Sequence, residues 1–203
     1  DIRRLDAADT DTVHPVGFAM NGNVLLGTTF NAKGYGWQLW DLQSGRTLSA
    51  RPVPAEIGCA GISSDGRFVG IGSLDGMVRV WDLPQGTEPW LFQANKARGT
   101  VSGIAIAPGS TLMAVSSENG ALDLWDLTNR SHVAALRGHR YGVHEVAFSS
   151  DGKRLASTGG VGREAVMLWD LATRRELITL TGKGTMFEGL EFSPDGNSIL
   201  AIS

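Results

Sequence analysis

The hexapeptide WQLWDL at residues 37–42 returns as VRVWDL at 78–83, LDLWDL at 122–127 and VMLWDL at 166–171. Its core is a Trp-Asp step: Trp40-Asp41, Trp81-Asp82, Trp125-Asp126 and Trp169-Asp170, spaced by 41, 44 and 44 residues. A fixed period of this length marks a stacked array of small units, each too small to bury its apolar face alone.

Working outward from each step, a second marker keeps the same period. Turn signals lie at Asn21-Gly22, Ser64-Asp65-Gly66, Pro108-Gly109-Ser110, Ser150-Asp151-Gly152 and Pro194-Asp195-Gly196. From Gly22 through Gly66, Ser110, Gly152 and Gly196 the intervals are 44, 44, 42 and 44. Between turns run short apolar stretches of strand length. In the second unit these are Ile57–Ser63, Arg67–Ser73, Met77–Leu83 and Glu88–Gln93, with Asp75-Gly76 as a hairpin turn. In the first, the expected strands are Val16–Ala19, Val24–Thr29, Trp37–Leu42 and Arg46–Arg51. No stretch has helical periodicity.

The chain resembles the WD-repeat (WD40) family at these residues. The fullest match is Gly138-His139, then Phe148-Ser149-Ser150-Asp151-Gly152, then Leu168-Trp169-Asp170. The resemblance implies an all-β chain, a β-propeller of four-stranded antiparallel blades. On this reading 1–203 is a single propeller segment, with blades at about 13–51, 57–93, 101–137 and 143–181. Residues 187–203 make a partial fifth, and 1–6 an outer strand of a neighbouring blade. Four to eight blades can close a ring. The expectation is therefore a piece of a larger ring, its open edges completed by further blades or by self-association.

Composition narrows the function classes. A net charge of −3 gives no general attraction to nucleic acid or to an anionic membrane. No apolar run approaches the roughly 18–20 residues of a membrane-spanning helix. The acidic residues 1–12 do not look like a signal peptide. Cys59 is the single cysteine, which suits a reducing, cytoplasmic setting.

In the family, a buried network joins the His of Gly-His, a Ser or Thr of the second strand, an Asp of the turn after it, and the blade Trp. Carried onto this sequence, the fourth blade has His139, Ser157 and Trp169, but its turn at 161–164 lacks Asp. The second has Asp75 and Trp81 with Ile71 in the Ser place; the third has Asn119 and Val115. No blade holds the full set, so packing is expected to replace hydrogen bonds.

Two blades are longer than the others between their first turn and Trp, with the extra residues expected in loops at 31–36 and 159–164. In the family, the turns between second and third strands share a face with the connections between blades. On that face the candidate partner-binding residues are Tyr35, Lys96, Arg98, Arg140, Tyr141, Arg163 and Lys183, accompanied by Lys33 and Phe187. Glu56, Asp75, Glu118 and Glu164 stand against them, with Asp6, Asp9 and Asp11 nearby. A mildly basic rim bearing aromatics suits an acidic or phosphorylated peptide.

No catalytic chemistry is legible. The four histidines have no zinc-site spacing, and nothing resembles a nucleophile elbow. The glycine-rich segments 159–162 and 182–185 do not open a helix as a phosphate loop must. Asp6, Asp9 and Asp11 lack the spacing of a calcium loop. The sequence therefore implies no cofactor and no metal. Its first reading is a non-enzymatic scaffold or regulatory module for a protein or peptide; resemblance adds that such segments are often appended to a kinase or an ATPase. The alternative is a propeller enzyme using His144, Glu145 and Glu188 at the axial channel.

Overall fold

The computed structural model describes residues 5, 12–86, 88–94, 99–159, 166–181 and 189–202. Every regular element among them is a strand, apart from a short 3-10 turn at Met20–Gly22. The first sheet contains β1 (Thr12–Ala19), β2 (Val24–Asn31), β3 (Gly34–Asp41) and β4 (Thr47–Val53). The second contains β5 (Ile57–Ile62), β6 (Phe68–Ser73), β7 (Met77–Asp82) and β8 (Trp90–Gln93). In the third are β9 (Val101–Ile106), β10 (Leu112–Ser117), β11 (Leu122–Asp126) and β12 (Ser131–Ala135). The fourth has β13 (Val143–Phe148), β14 (Arg154–Gly159), β15 (Val166–Asp170) and β16 (Arg175–Leu180). A last pair, β17 (Leu190–Phe192) and β18 (Ile199–Ala201), stands alone.

Each sheet is an antiparallel meander in chain order. The opening strands β1, β5, β9, β13 and β17 neighbour one another in sequence, so the sheets fan around a common axis with these strands innermost. This is the propeller arrangement that the repeats imply. Its core is divided into four apolar layers, one between each pair of adjacent sheets.

The Trp rings fill these layers from one side. Trp81 lies against Trp37 of the sheet before it, with centroids 5.3 Å apart and rings near perpendicular. Trp125 packs on Phe92 at 4.1 Å and Trp90 at 5.9 Å. Trp169 sits among Leu124 and Leu136 of the third sheet. Trp40, Trp81 and Trp169 are buried, whereas Trp125 is only half-buried. The outer-strand residue Trp90, whose burial the sequence leaves open, is half-buried against Phe92 and Trp125.

The Asp of each step has a separate task. Asp41 Oδ1 accepts from the Ser44 amide and hydroxyl, both at 2.6 Å, and Asp170 Oδ1 does the same with Thr173. Asp126 takes the Asn129 amide at 2.8 Å. A carboxylate here closes the turn after the third strand by holding the amide three residues on. Asp82 is turned instead toward Arg67, which donates from Nε and Nη2 at 2.9 and 2.8 Å.

The turns between first and second strands repeat with similar closeness. Ser63 and Ser149 donate to Asp65 and Asp151 at 2.6 Å, and Ser193 donates to Asp195 at 2.5 Å. The following Gly66, Gly152 and Gly196 all have positive φ, which a side chain would oppose. These hydroxyl bonds hold Asp65, Asp151 and Asp195 below the usual carboxylate range, and Thr173 does so for Asp170. A carboxyl with a lowered folded pKa adds stability above its unfolded value, about 3.9, and loses it as pH falls through the folded value. Thermal melts should therefore be nearly flat from about pH 7 to 5 and decline below about 4. In Asp151→Asn that decline should be shallower.

Two strand expectations are corrected. The extra length of the first blade is not a loop: Asn31 pairs with Gly34 and Phe30 with Tyr35, so the ladder continues to a tight turn at Ala32-Lys33. Correspondingly, β1 begins at Thr12, before the expected Val16, because it pairs along the lengthened β2 as far as Phe30. A bulge between Pro15 and Gly17 absorbs the misfit, as expected where proline cannot donate to the ladder. The other long turn, at 159–164, lies mostly outside the described residues, as do residues 1–4 and 187–188.

Candidate functional site

The face at the turns between second and third strands is built by backbone contacts. The Leu74 amide donates to Glu56 O at 3.0 Å, and the Glu118 amide to Thr100 O at 3.2 Å. Each bond ties such a turn to the connection entering its own blade. Between the third and fourth blades the fit is closer. A Cβ on Gly142 would lie 2.5 Å from Glu118 O, and one on Gly120 would lie 2.8 Å from Tyr141 O. The connection carrying Arg140 and Tyr141 is thus seated directly on the Glu118–Gly120 turn.

From that seat Tyr141 projects, 53% exposed, beside the exposed Arg140. Tyr35 is placed differently. It lies half-buried in β3, stacked on Phe30 at 4.7 Å and packed on the first apolar layer. Its ring supports the long hairpin, and Phe30 is the more exposed partner of the pair. The expected neighbours Lys96, Arg98, Arg163 and Lys183 lie outside the described residues. The described part of the rim therefore brings Arg140 and Tyr141 together and leaves Tyr35 two blades away.

Asp75, read from the sequence both as an acid of this rim and as the turn Asp of the second blade, is exposed and at the same time engaged in holding its turn. It lies 3.5 Å from Arg79 Nη2 and accepts the Met77 amide at 3.0 Å. Arg79 is buried and donates to Ser73 Oγ at 2.9 Å. Sequence reading missed this arginine, although an arginine inside the apolar run VRVWDL was the available signal. A buried guanidinium needs such partners, since removing one leaves an uncompensated charge.

In the fourth blade, Ser157 Oγ accepts Trp169 Nε1–H at 2.8 Å and lies 2.7 Å from His139 Nε2. In the third blade Val115 takes the place of Ser157, and the buried Trp125 Nε1 has no hydrogen-bond partner among the described residues. Packing on Phe92 and His132 stands in for it. His132 in turn bonds Asp123 at 2.8 Å. Beside these residues a groove of about 790 Å³ opens between the second and third blades, floored by Trp125 and edged by Gln93, Asn119 and Arg137.

Nearer the axis, His144 and Glu145 lie on β13, and the Glu145 amide donates to Thr158 Oγ1 at 3.0 Å. Glu188 is outside the described residues. Burial, with a smaller contribution from the Glu145 charge, pushes the Cys59 thiol up and keeps it protonated. Among the described residues no three His, Cys, Asp or Glu side chains are grouped to hold a metal ion. No helix among them is long and apolar enough to cross a membrane.

A family model described as WD domain, G-beta repeat, matches residues 44–82 and 130–170, each ending on or beside a Trp-Asp step. Over those residues the chain is similar to the WD-repeat family. Curated relatives agree. The Drosophila melanogaster protein LST8 homolog is 26% identical over 62% of this chain and 41% of its own length. WD repeat-containing protein SL1-17 of Schistosoma mansoni is 32% identical over 59% of the chain and 39% of its own. The chain thus spans about two fifths of the length of those relatives. Among solved structures, that of U3-55K superposes with TM-score 0.77 at 18% identity, over 94% of this chain and 57% of the other. A chain of the mitotic checkpoint complex gives 0.78 at 20%, over 96% and 58%. At such identities the likeness is one of fold.

Proposed function

We propose that this chain is a non-enzymatic scaffold or regulatory module that binds a protein or peptide on the face carrying Arg140 and Tyr141. The observation that carries the reading is the seat of that connection. An exposed aromatic and a cation stand on backbone fixed by the Gly142–Glu118 contact, which lowers the ordering cost of binding. Loops held by a rigid scaffold are where recognition residues concentrate. The family supports a role in protein assemblies, and one fold neighbour comes from a complex. Arg140 suits an acidic or phosphorylated partner, since a guanidinium pairs with such groups in bidentate fashion. A single cysteine fits a reducing, cytoplasmic setting.

The test is a panel of acidic and phosphorylated peptides measured by fluorescence anisotropy against the 203-residue chain. Arg140→Ala and Tyr141→Ala should each weaken the best binder about tenfold, or ~1.4 kcal/mol, with the melting temperature unchanged. Equal binding by parent and both variants removes this face from consideration.

A further inference from the structure

The residue two places before a step Trp shares its face of the sheet and points at the preceding blade. In the second blade this is Arg79, 6% exposed and donating to Ser73 Oγ; in the fourth it is Met167, 2% exposed. Both are long enough to fill the crevice they face. The third blade has Asp123 in that place, and its shorter side chain turns to His132 on the outer strand, at 2.8 Å. The crevice between the second and third blades therefore stays open as the groove of about 790 Å³. Trp125, on its floor, is the half-buried one among the four step Trps. Such a volume falls within the roughly 300–1,000 Å³ of ligand pockets.

Length and charge define what the groove can take. It follows β12 from His132 to Leu136, where the ladder still holds through the Leu136–Leu122 bond. That run covers about 13 Å, the length of four or five extended residues. An ionised carboxylate only accepts, so His132 donates to Asp123 and occupies it. Arg137, at the other end, is exposed, and its side chain has no hydrogen bond or ion pair among the described residues. The charge left to a ligand is thus a guanidinium beside an indole floor. One blade on, the chain itself shows which apolar group suits the place. Met167 Cε and the Trp169 ring meet under Gly138, where an added Cβ would lie 2.8 and 2.9 Å from them. A flexible thioether against an aromatic ring is a favourable contact.

We infer that the groove between the second and third blades binds an extended acidic peptide, which lays one methionine on Trp125 and sets a carboxylate on Arg137. The methionine takes the space that Met167 fills in the next crevice. Pairing of the carboxylate with the guanidinium fixes the peptide's register. The groove is a second site: it opens beside the Arg140–Tyr141 connection but uses neither residue, and it stands or falls apart from the reading above.

The probe is the end-blocked peptide EEMEE, titrated calorimetrically into the 203-residue chain. One site is expected. Its affinity should fall at least tenfold in Arg137→Ala, in Ala135→Phe and with alanine for the peptide's methionine, and should be unchanged in Arg140→Ala. Ala135 is exposed on the groove wall, so Ala135→Phe should block the groove and melt with the parent. Should it melt early, Asp123→Met, which copies the fourth blade, replaces it as the blocking variant. No binding at millimolar peptide, equal binding by the parent and the blocked variant, or equal binding of KKMKK overturns the inference. Loss in Arg140→Ala with none in the blocked variant places the peptide on the other face, and overturns it as well.

Discussion

Trp169→Ala is expected to lower the unfolding free energy by about 3–5 kcal/mol, the range for emptying a fully buried aromatic site. The ring is 1% exposed and closes the layer between the third and fourth sheets with Leu124, Leu136 and Leu155. The substitution also strips the Nε1–H from Ser157, leaving that buried hydroxyl with His139 alone among the partners described above. Urea unfolding followed by circular dichroism measures the loss. Trp125→Ala provides the comparison. Its ring is half-buried, its Nε1 has no hydrogen-bond partner among the described residues, and Trp90, Phe92 and His132 can close toward the space it leaves. Its cost should be smaller, about 2–3 kcal/mol. Equal losses would mean that the rings act by size alone, without regard to how each is enclosed.

Gly142→Ala should cost about 1–3 kcal/mol, through overpacking against a carbonyl oxygen that cannot rotate away. The added methyl would stand 2.5 Å from Glu118 O and 3.1 Å from Glu118 C. Relief requires the connection and the turn to separate, and that shifts Arg140 and Tyr141 together. Gly17→Ala is the control, since its methyl meets only Ile62 Cγ2 at 3.9 Å. That change should stay within about 0.5 kcal/mol. If Gly142→Ala melts with the parent, the seat is looser than its distances indicate and the rigid-rim argument loses its footing.

The period of the Trp-Asp steps made the sheets legible, because a strand pair with a tight turn leaves a local trace at every repeat. The inter-sheet layers were legible for the same reason, since a large ring at a fixed place has few sites other than the gap between neighbours. What escaped was set by register. Nothing local distinguishes a loop of six residues from a ladder with two more rungs, and the hairpin at Ala32-Lys33 became visible only through the pairing of Asn31 with Gly34. The role of Arg79 was hidden likewise: it lies across a turn from Asp75, and a charge within an apolar strand reads equally well as a solvated side chain. Of the rim, exposure at Tyr141 followed from its place in a connection. The burial of Tyr35 followed from its partner Phe30, which no spacing rule singles out.

Trp81, Trp125 and Trp169 all pack on the sheet that precedes them in the chain. For a polypeptide made from its amino terminus, this ordering has a kinetic meaning. When each of these three rings leaves the ribosome, the sheet it packs on has already emerged, whereas Trp37 and Trp90 are covered only by the sheet that follows. Domains fold as units during synthesis, and exposed apolar surface at that stage invites aggregation. The direction in which the rings point therefore gives assembly a built-in order, each sheet serving as the template on which the next one closes.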